Sequence, residues 1–182
     1  MTRMDPASPV EPGTTAKGAG HERDNSRALY TAEERKRRDA SVWTVVQGVL
    51  APVQFVVFLI SLGLVLRTLS TGEGAWAADL SILVKTATLY TIMVTGSIWE
   101  KVVFGKWLFA PAFFWEDVFS MLVLALHSAY LVMLFAGIGT TEQRLLVALA
   151  GYGAYVVNAG QFLWKLRMAR LQGGNLNQAV PA

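Results

Sequence analysis

Three carboxylates and a histidine are the side chains best suited to chemistry in the apolar part of this sequence. Glu100 precedes a stretch of mostly aromatic and aliphatic residues that joins two long apolar segments, and Glu116 and Asp117 follow it. Connecting loops are normally polar, because their backbone must be solvated. Carboxylates at both ends of an oily loop suit acid–base chemistry on a lipophilic, planar substrate, with one group giving a proton and another taking one.

Each carboxylate also has a plain structural interpretation. Glu116 and Asp117 fall in the first turn of a predicted helix, where acidic side chains interact favourably with the helix dipole. Glu100 stands beside Lys101 and could form an ordinary ion pair with it at a membrane interface. The sequence therefore makes all three carboxylates candidates for the catalytic acid and base, without deciding which does which.

His127 lies near the middle of an apolar segment, where an ionisable group needs a partner. Three roles stay open for it: a hydrogen-bonded structural residue, an acid–base group, or an axial ligand to the metal of a tetrapyrrole. His21, the other histidine, lies in the polar N-terminal tail, so a haem between two histidines of the spans is excluded. Glu116, Ser120, His127 and Tyr130 recur at helical spacing and are predicted to form one polar stripe.

The composition indicates a membrane protein. Of the 182 residues, 53% are hydrophobic and only 16% are charged, whereas soluble domains carry about 25% charged residues. The net charge of +3 is too weak and too dispersed to favour nucleic-acid binding. The chain has no cysteine and no recognisable phosphate, dinucleotide or zinc motif, so no metal site and no cofactor is predicted.

Four apolar segments are long enough to cross a bilayer, which takes about 20 residues per helix. They cover approximately residues 43–66, 80–103, 113–137 and 145–165. Together they predict an all-α, polytopic membrane protein whose four transmembrane helices form a bundle. Lys85, inside the second segment, either extends to the interface or is a buried charge with a partner.

The basic residues predict the orientation of the bundle. They cluster before the first segment, between the second and third, and after the fourth, whereas the opposite loops carry little more than Arg67 and Arg144. Because cytoplasmic loops are enriched in lysine and arginine, both termini are predicted to be cytoplasmic.

The tails differ from the membrane domain, which is predicted to cover residues 29–170. Residues 1–28 have almost no large apolar side chains and are predicted to be disordered, and residues 171–182 are predicted to be a flexible tail. Thr31 and Glu34 have the spacing of a capping box and predict a short basic helix ahead of the first span.

Five runs of residues resemble the 3-vinyl bacteriochlorophyllide hydratase family. The similarity covers about residues 29–170, which is everything except the tails. In chain order the runs are residues 30–39 (YTAEERKRRD), 43–55 (WTVVQGVLAPVQF), 96–105 (GSIWEKVVFG), 109–117 (FAPAFFWED) and 158–162 (NAGQF).

This resemblance implies a hydro-lyase of bacteriochlorophyll biosynthesis in the cytoplasmic (inner) membrane of a phototrophic bacterium. It would hydrate the C3 vinyl group of chlorophyllide a or 3-vinyl bacteriochlorophyllide a to a 3-(1-hydroxyethyl) group. The implied partners are that pigment, water, the lipid bilayer and other enzymes of the pathway. Vinyl hydration needs no redox cofactor, and magnesium would enter only within the substrate macrocycle.

With that substrate, the residues fall into two predicted groups. The catalytic candidates are Glu116, Glu100, Asp117 and His127, of which His127 could instead ligate the substrate magnesium. Aromatic faces would stack on the macrocycle, and lysines would hold its propionate. The predicted substrate-binding residues are Trp99, Lys101, Lys106, Trp107, Phe113, Phe114, Trp115 and Tyr130.

A non-enzymatic function stays open on the residues alone. A membrane pigment carrier or an assembly subunit could use the same aromatic loop only for binding. A small transporter is a third alternative, although the sequence lacks the internal repeat typical of many transporter folds.

Overall fold

Long apolar runs with few breakers form four helices, and a short charged helix precedes them. The computed structural model describes the backbone of residues 29–178 and the side chains of residues 29–168. The helices are α1 (Ala32–Ala40), α2 (Val42–Thr71), α3 (Ala75–Phe104), α4 (Phe114–Phe135) and α5 (Thr141–Gln178). The prediction of an all-helical protein with four long apolar helices is confirmed.

The ends of the helices follow local capping chemistry. Thr31 accepts a hydrogen bond from the Glu34 amide while the Glu34 side chain accepts one from the Thr31 amide, which confirms the predicted capping box. Gly72 and Gly105 end α2 and α3 with φ angles of 75° and 77°. Glycine adopts this left-handed conformation without strain, so both helices stop where a glycine stands.

Helices α2 to α5 are each long and apolar enough to cross a membrane. At 1.5 Å per residue, the 30 residues of α2 extend about 45 Å, which exceeds the ~30 Å hydrocarbon layer. The helices therefore run past the predicted spans at most of their ends, because hydropathy marks only the part in lipid. α5 also continues to Gln178, into the predicted flexible tail 171–182. The predicted disordered segment, residues 1–28, lies outside the described residues.

The bundle consists of two helical hairpins. α2 packs mainly against α3, and α4 packs mainly against α5, while contacts between the hairpins are fewer. Phe58, Ile82, Tyr130 and Tyr152, one from each long helix, meet in the main apolar core. Side chains on the outer faces are largely apolar, as a lipid environment requires.

The inward face of α4 carries the predicted polar stripe. Glu116, Ser120, His127 and Tyr130 are all buried on this helix, so the prediction that they share one face is confirmed. Lys85 of α3 is fully buried, which makes the interpretation that it reaches the interface wrong.

Candidate active site

The loop between α3 and α4 has an unusual backbone that presents amide groups to the protein interior. Phe109 has φ = 58°, and among residues 29–178 it is the one non-glycine residue with a positive φ. A bulky residue in this region is strained and is held there by its surroundings. The turn at Phe109 aims its own amide and that of Ala110 at the two helices that the loop connects.

Those two amides each bind a carboxylate from a different helix. The Phe109 N–H donates to Oδ2 of Asp117 at 2.7 Å, and the Ala110 N–H donates to Oε2 of Glu100 at 3.1 Å. Both residues are 5% exposed, and because they bind consecutive amides their carboxyl groups lie side by side. The structure thus brings together two of the three predicted carboxylates as a buried pair with fixed donors.

Glu116, the third carboxylate, is held in an ion pair on α5. Its Oε2 lies 2.5 Å from the Nζ of Lys165, and that ammonium also donates to the Ala112 carbonyl and lies 5.0 Å from the Phe113 ring centroid. Lys165 was not among the predicted site residues. Its sequence signal was its place at helical spacing from Asn158 and Gln161 on one face, near the basic end of the last span.

A cluster of aromatic rings packs beside the carboxylate pair. Trp99, Phe104 and Phe113 contact one another with ring centroids 5.6–5.8 Å apart. Tyr30, just before α1, stacks on Phe104 at 5.8 Å, and the Trp99 indole donates to Oγ1 of Thr44 at 2.9 Å. Trp99 and Phe113, predicted to bind substrate, are therefore engaged mainly in packing the protein around the carboxylates.

Burial raises the pKa of the Tyr30 hydroxyl, although the Arg38 guanidinium, 4.7 Å from the ring centroid, opposes that shift. A tyrosine with a raised pKa stays a neutral phenol at physiological pH. Tyr30 thus links α1 to the aromatic cluster through stacking rather than through charge.

Other predicted substrate-binding aromatics face outward. Trp107, Phe114 and Trp115 are 44–64% exposed and surround the loop on its outer side. The Lys101 ammonium donates to the Gly105 carbonyl at 2.9 Å and lies 5.9 Å from the Trp107 ring, and Lys106 is exposed. An apolar aromatic surface with two cations at its edge suits a flat, greasy ligand with an acidic substituent.

His127 and Tyr130 lie away from this loop. Eleven residues of α4 separate His127 from Glu116, which corresponds to about 16 Å along the helix. The Tyr130 hydroxyl donates to Oδ1 of Asp79 at 2.5 Å, and Arg144 lies 3.8 Å from the same carboxylate, near the opposite end of the bundle. The structure therefore separates these two candidates from the other predicted site residues.

The described part of the chain contains no group of three or more histidine, aspartate or glutamate side chains that could hold an ion. The chemistry that the loop region can perform with its own side chains is proton transfer. The paired carboxylates of Glu100 and Asp117 are the groups best placed to do it.

Comparison with known proteins identifies relatives over nearly the whole membrane domain. The sequence profile of the family described as 2-vinyl bacteriochlorophyllide hydratase matches residues 30–168. A 2-vinyl bacteriochlorophyllide hydratase of Cereibacter sphaeroides is 63% identical over 168 residues, covering 92% of this chain and 96% of the relative. One of Rhodobacter capsulatus is 65% identical over 149 residues, covering 82% and 86%.

No solved structure matches the chain. The expected resemblance to the vinyl bacteriochlorophyllide hydratase family is confirmed. On the match to the family profile and on the identity to two relatives, this chain belongs to the 2-vinyl bacteriochlorophyllide hydratase family.

Proposed function

We propose that this chain is a hydro-lyase that adds water across the vinyl group of a bacteriochlorophyllide, as a step in bacteriochlorophyll biosynthesis. Membership of the hydratase family carries the choice of reaction. The buried Glu100–Asp117 pair is the structural observation that carries the mechanism, because hydration of an alkene needs one group to give a proton and one to take it.

The reaction follows from the protonation of the pair. Two carboxyl groups held side by side, away from water, are most stable when they share one proton. That proton adds to the terminal vinyl carbon and forms the methyl group, which leaves positive charge on the adjacent carbon and, by delocalisation, on the macrocycle. Water then adds to that carbon, and its surplus proton returns to the carboxylate pair. The sum is vinyl plus water giving 1-hydroxyethyl, with the pair restored.

The loop amides keep the two carboxyl groups in place through this cycle. When the shared proton leaves, Glu100 and Asp117 both become anionic, and the N–H groups of Ala110 and Phe109 stabilise that charge without having to reorient. No electrons are transferred in the net reaction. The proposal therefore needs no redox cofactor, and magnesium enters only within the substrate macrocycle.

Glu116 and Lys165 position the pair. Their ion pair ties the first turn of α4 to α5, and Asp117 is the next residue in that turn. We assign Glu116 a positioning role, since its carboxylate is engaged by the Lys165 ammonium at 2.5 Å.

The exposed aromatic side chains form the proposed platform for the macrocycle. Trp107, Phe114 and Trp115 offer ring faces beside the loop, and Lys101 and Lys106 offer cations for a propionate. The substrate is chlorophyllide a or 3-vinyl bacteriochlorophyllide a. Exposure of these rings on the outer surface supports entry of the pigment from the lipid or from another enzyme of the pathway.

The distribution of basic residues supports a location of this platform at the cytoplasmic face of the inner membrane, with both termini on that side. A pigment that is amphipathic could then pass between pathway enzymes without leaving the interface. Four long apolar helices support the membrane location.

The test is a hydration assay on the purified full-length chain in lipid nanodiscs. The vinyl pigment should yield a product heavier by one water, with its red absorption band shifted to the blue. In D₂O the product should carry one carbon-bound deuterium, in its new methyl group. Pigment that binds but is returned unchanged would overturn the proposal and favour a carrier.

A further inference from the structure

The interior of the bundle contains polar atoms that the protein itself leaves unpaired. Among the side chains of residues 29–168, seven buried nitrogen or oxygen atoms have no hydrogen-bond partner. Six of them belong to five residues, with at least one on each long helix. These residues are Gln54, Lys85, His127, Asn158 and Gln161. Native proteins contain few such atoms, and several together indicate a bound polar ligand.

The packing register places the unpaired atoms of α2 and α5 at one level. The hydroxyls of Ser61 and Tyr152 lie 2.6 Å apart, and these two helices run in opposite directions. Gln54 precedes Ser61 by seven residues on α2, and Asn158 follows Tyr152 by six residues on α5. Because the two helices are antiparallel, Gln54 and Asn158 lie at the same level of the bundle. The Asn158 amide nitrogen donates to Oγ of Ser120, which leaves its Oδ1 unpaired beside the polar stripe of α4.

The same line continues to the ion pair at the loop. Gln161 follows Asn158 by one turn of α5, and Lys165 follows Gln161 by another, with its ammonium on Glu116. From the level of Tyr152 to that of Gln161 the helix rises about 13 Å, a distance that about five hydrogen-bonded water molecules span at ~2.8 Å each.

His127 and Lys85, at the end of this line farthest from the loop, determine which kind of ligand can bind there. Nδ1 of His127 lies 2.8 Å from the Val123 carbonyl oxygen, which can only accept, so Nδ1 carries the proton and Nε2 is a bare acceptor. The Lys85 ammonium is fully buried without a hydrogen-bond partner, and its nearest aromatic ring is that of Tyr155, 4.4 Å away. A bridging ligand must accept from lysine and donate to histidine. Water does both, whereas a metal ion is repelled by the ammonium and a fully deprotonated anion has no proton for Nε2.

We propose that these five residues line an internal file of bound water molecules, and that this file supplies the reacting water to the Glu100–Asp117 pair. The inference rests on the proposed function and deepens it. Glu100 and Asp117 are each 5% exposed, so little bulk water reaches them from the loop side even before a macrocycle binds to the exposed aromatic surface. The water that adds to the protonated vinyl group then has to arrive from within the bundle, along the seam that ends at Glu116 and Lys165.

The first experiment detects the water without using activity. The full-length chain in nanodiscs is exposed to X-ray-generated hydroxyl radicals in ¹⁸O-labelled water, and oxidation is mapped by mass spectrometry. His127 and Tyr152, 0% and 2% exposed, should be oxidised much faster than Phe113, which is 3% exposed but packed in the aromatic cluster. Equal, slow oxidation of all three would overturn the proposal.

The second experiment tests what the water is for. Gln54→Leu and Asn158→Leu remove polar groups from the file while keeping the approximate side-chain size. Each should slow oxidation of His127 and lower kcat for hydration about tenfold, with KM for the pigment unchanged, because water supply and not pigment binding is affected. The matched control is Gln47→Leu, since the Gln47 amide is already paired with Thr95 at 2.7 Å. Unchanged kcat in both file variants would overturn the supply role.

The two proposals fail in different ways. Retained hydration in Glu100→Gln would overturn the carboxylate mechanism and leave the oxidation pattern as it is. If His127 and Tyr152 are oxidised as slowly as Phe113 while Glu100→Gln abolishes hydration of the vinyl pigment, only the proposed water file is overturned.

Discussion

Glu100 and Asp117 come from different helices but accept hydrogen bonds from consecutive backbone amides, those of Ala110 and Phe109, at 3.1 and 2.7 Å. The spacing of adjacent amides thereby sets the spacing of the carboxyl groups. The distance between the two carboxyl groups is therefore fixed by the backbone and not by contacts between long, flexible side chains.

Glu100→Gln and Asp117→Asn should each abolish most of the hydration activity. The glutamine and asparagine side chains cannot act as a general acid or base, and general acid–base catalysis contributes a factor of about 10²–10⁴ to the rate. Pigment binding, measured from the absorption spectrum, should persist, because neither residue belongs to the exposed aromatic surface. Glu73→Gln, at an exposed glutamate in another loop, is the matched control and should keep full activity. Wild-type rates in both pair variants would contradict the assignment.

Glu116 and Lys165 should behave as a coupled pair in a double-mutant cycle. Glu116→Gln leaves the ammonium without its partner, and Lys165→Met leaves a carboxylate that is 3% exposed without its partner. Each single change should lower the free energy of unfolding by about 1–3 kcal/mol, and the double change should cost less than their sum. Unfolding in detergent or urea titrations measures all three. Simple additivity would show that the two residues act separately.

Phe109 offers a test of the loop backbone. Its φ of 58° is strained for any side chain but free for glycine. Phe109→Gly should therefore be more stable than Phe109→Ala by about 1 kcal/mol, although both lose the ring contact with Phe114, whose centroid is 5.7 Å away. Comparing the thermal midpoints of the two variants isolates the backbone term. An alanine variant at least as stable as the glycine variant would mean that the left-handed turn is not adopted in the membrane.

The orientation of the bundle can be tested with single cysteines, since the chain has none of its own. Glu73→Cys, in the loop between α2 and α3, should react with a membrane-impermeant maleimide added to spheroplasts. Lys106→Cys, in the loop between α3 and α4, should react only after the membrane is permeabilised. The reverse pattern would place the termini and the proposed site on the periplasmic side.

Several features of the fold and site could be predicted because they depend on local sequence. Thr31 and Glu34 identify the start of α1 through contacts three residues apart, and long apolar runs identify four helices. Glu100, Glu116 and Asp117 indicate acid–base chemistry because they carry carboxyl groups, however the helices pack. The polar stripe of α4 follows from helical spacing alone.

The division of roles among the carboxylates could not be predicted, because it depends on contacts between helices. Glu116 and Asp117 are neighbours in sequence, but successive residues of a helix point about 100° apart. One therefore meets Lys165 of α5 and the other meets Glu100 of α3. The left-handed turn at Phe109 was equally hidden, since no glycine or asparagine marks it.

The division of the bundle into two hairpins determines what holds the two carboxyl groups together. Glu100 belongs to the α2–α3 hairpin and Asp117 to the α4–α5 hairpin, so the carboxylate pair spans the interface between the two hairpins. A shift between the two hairpins would therefore separate the two carboxyls and remove the proposed acid. Catalysis by the pair requires the two hairpins to stay packed together at the loop.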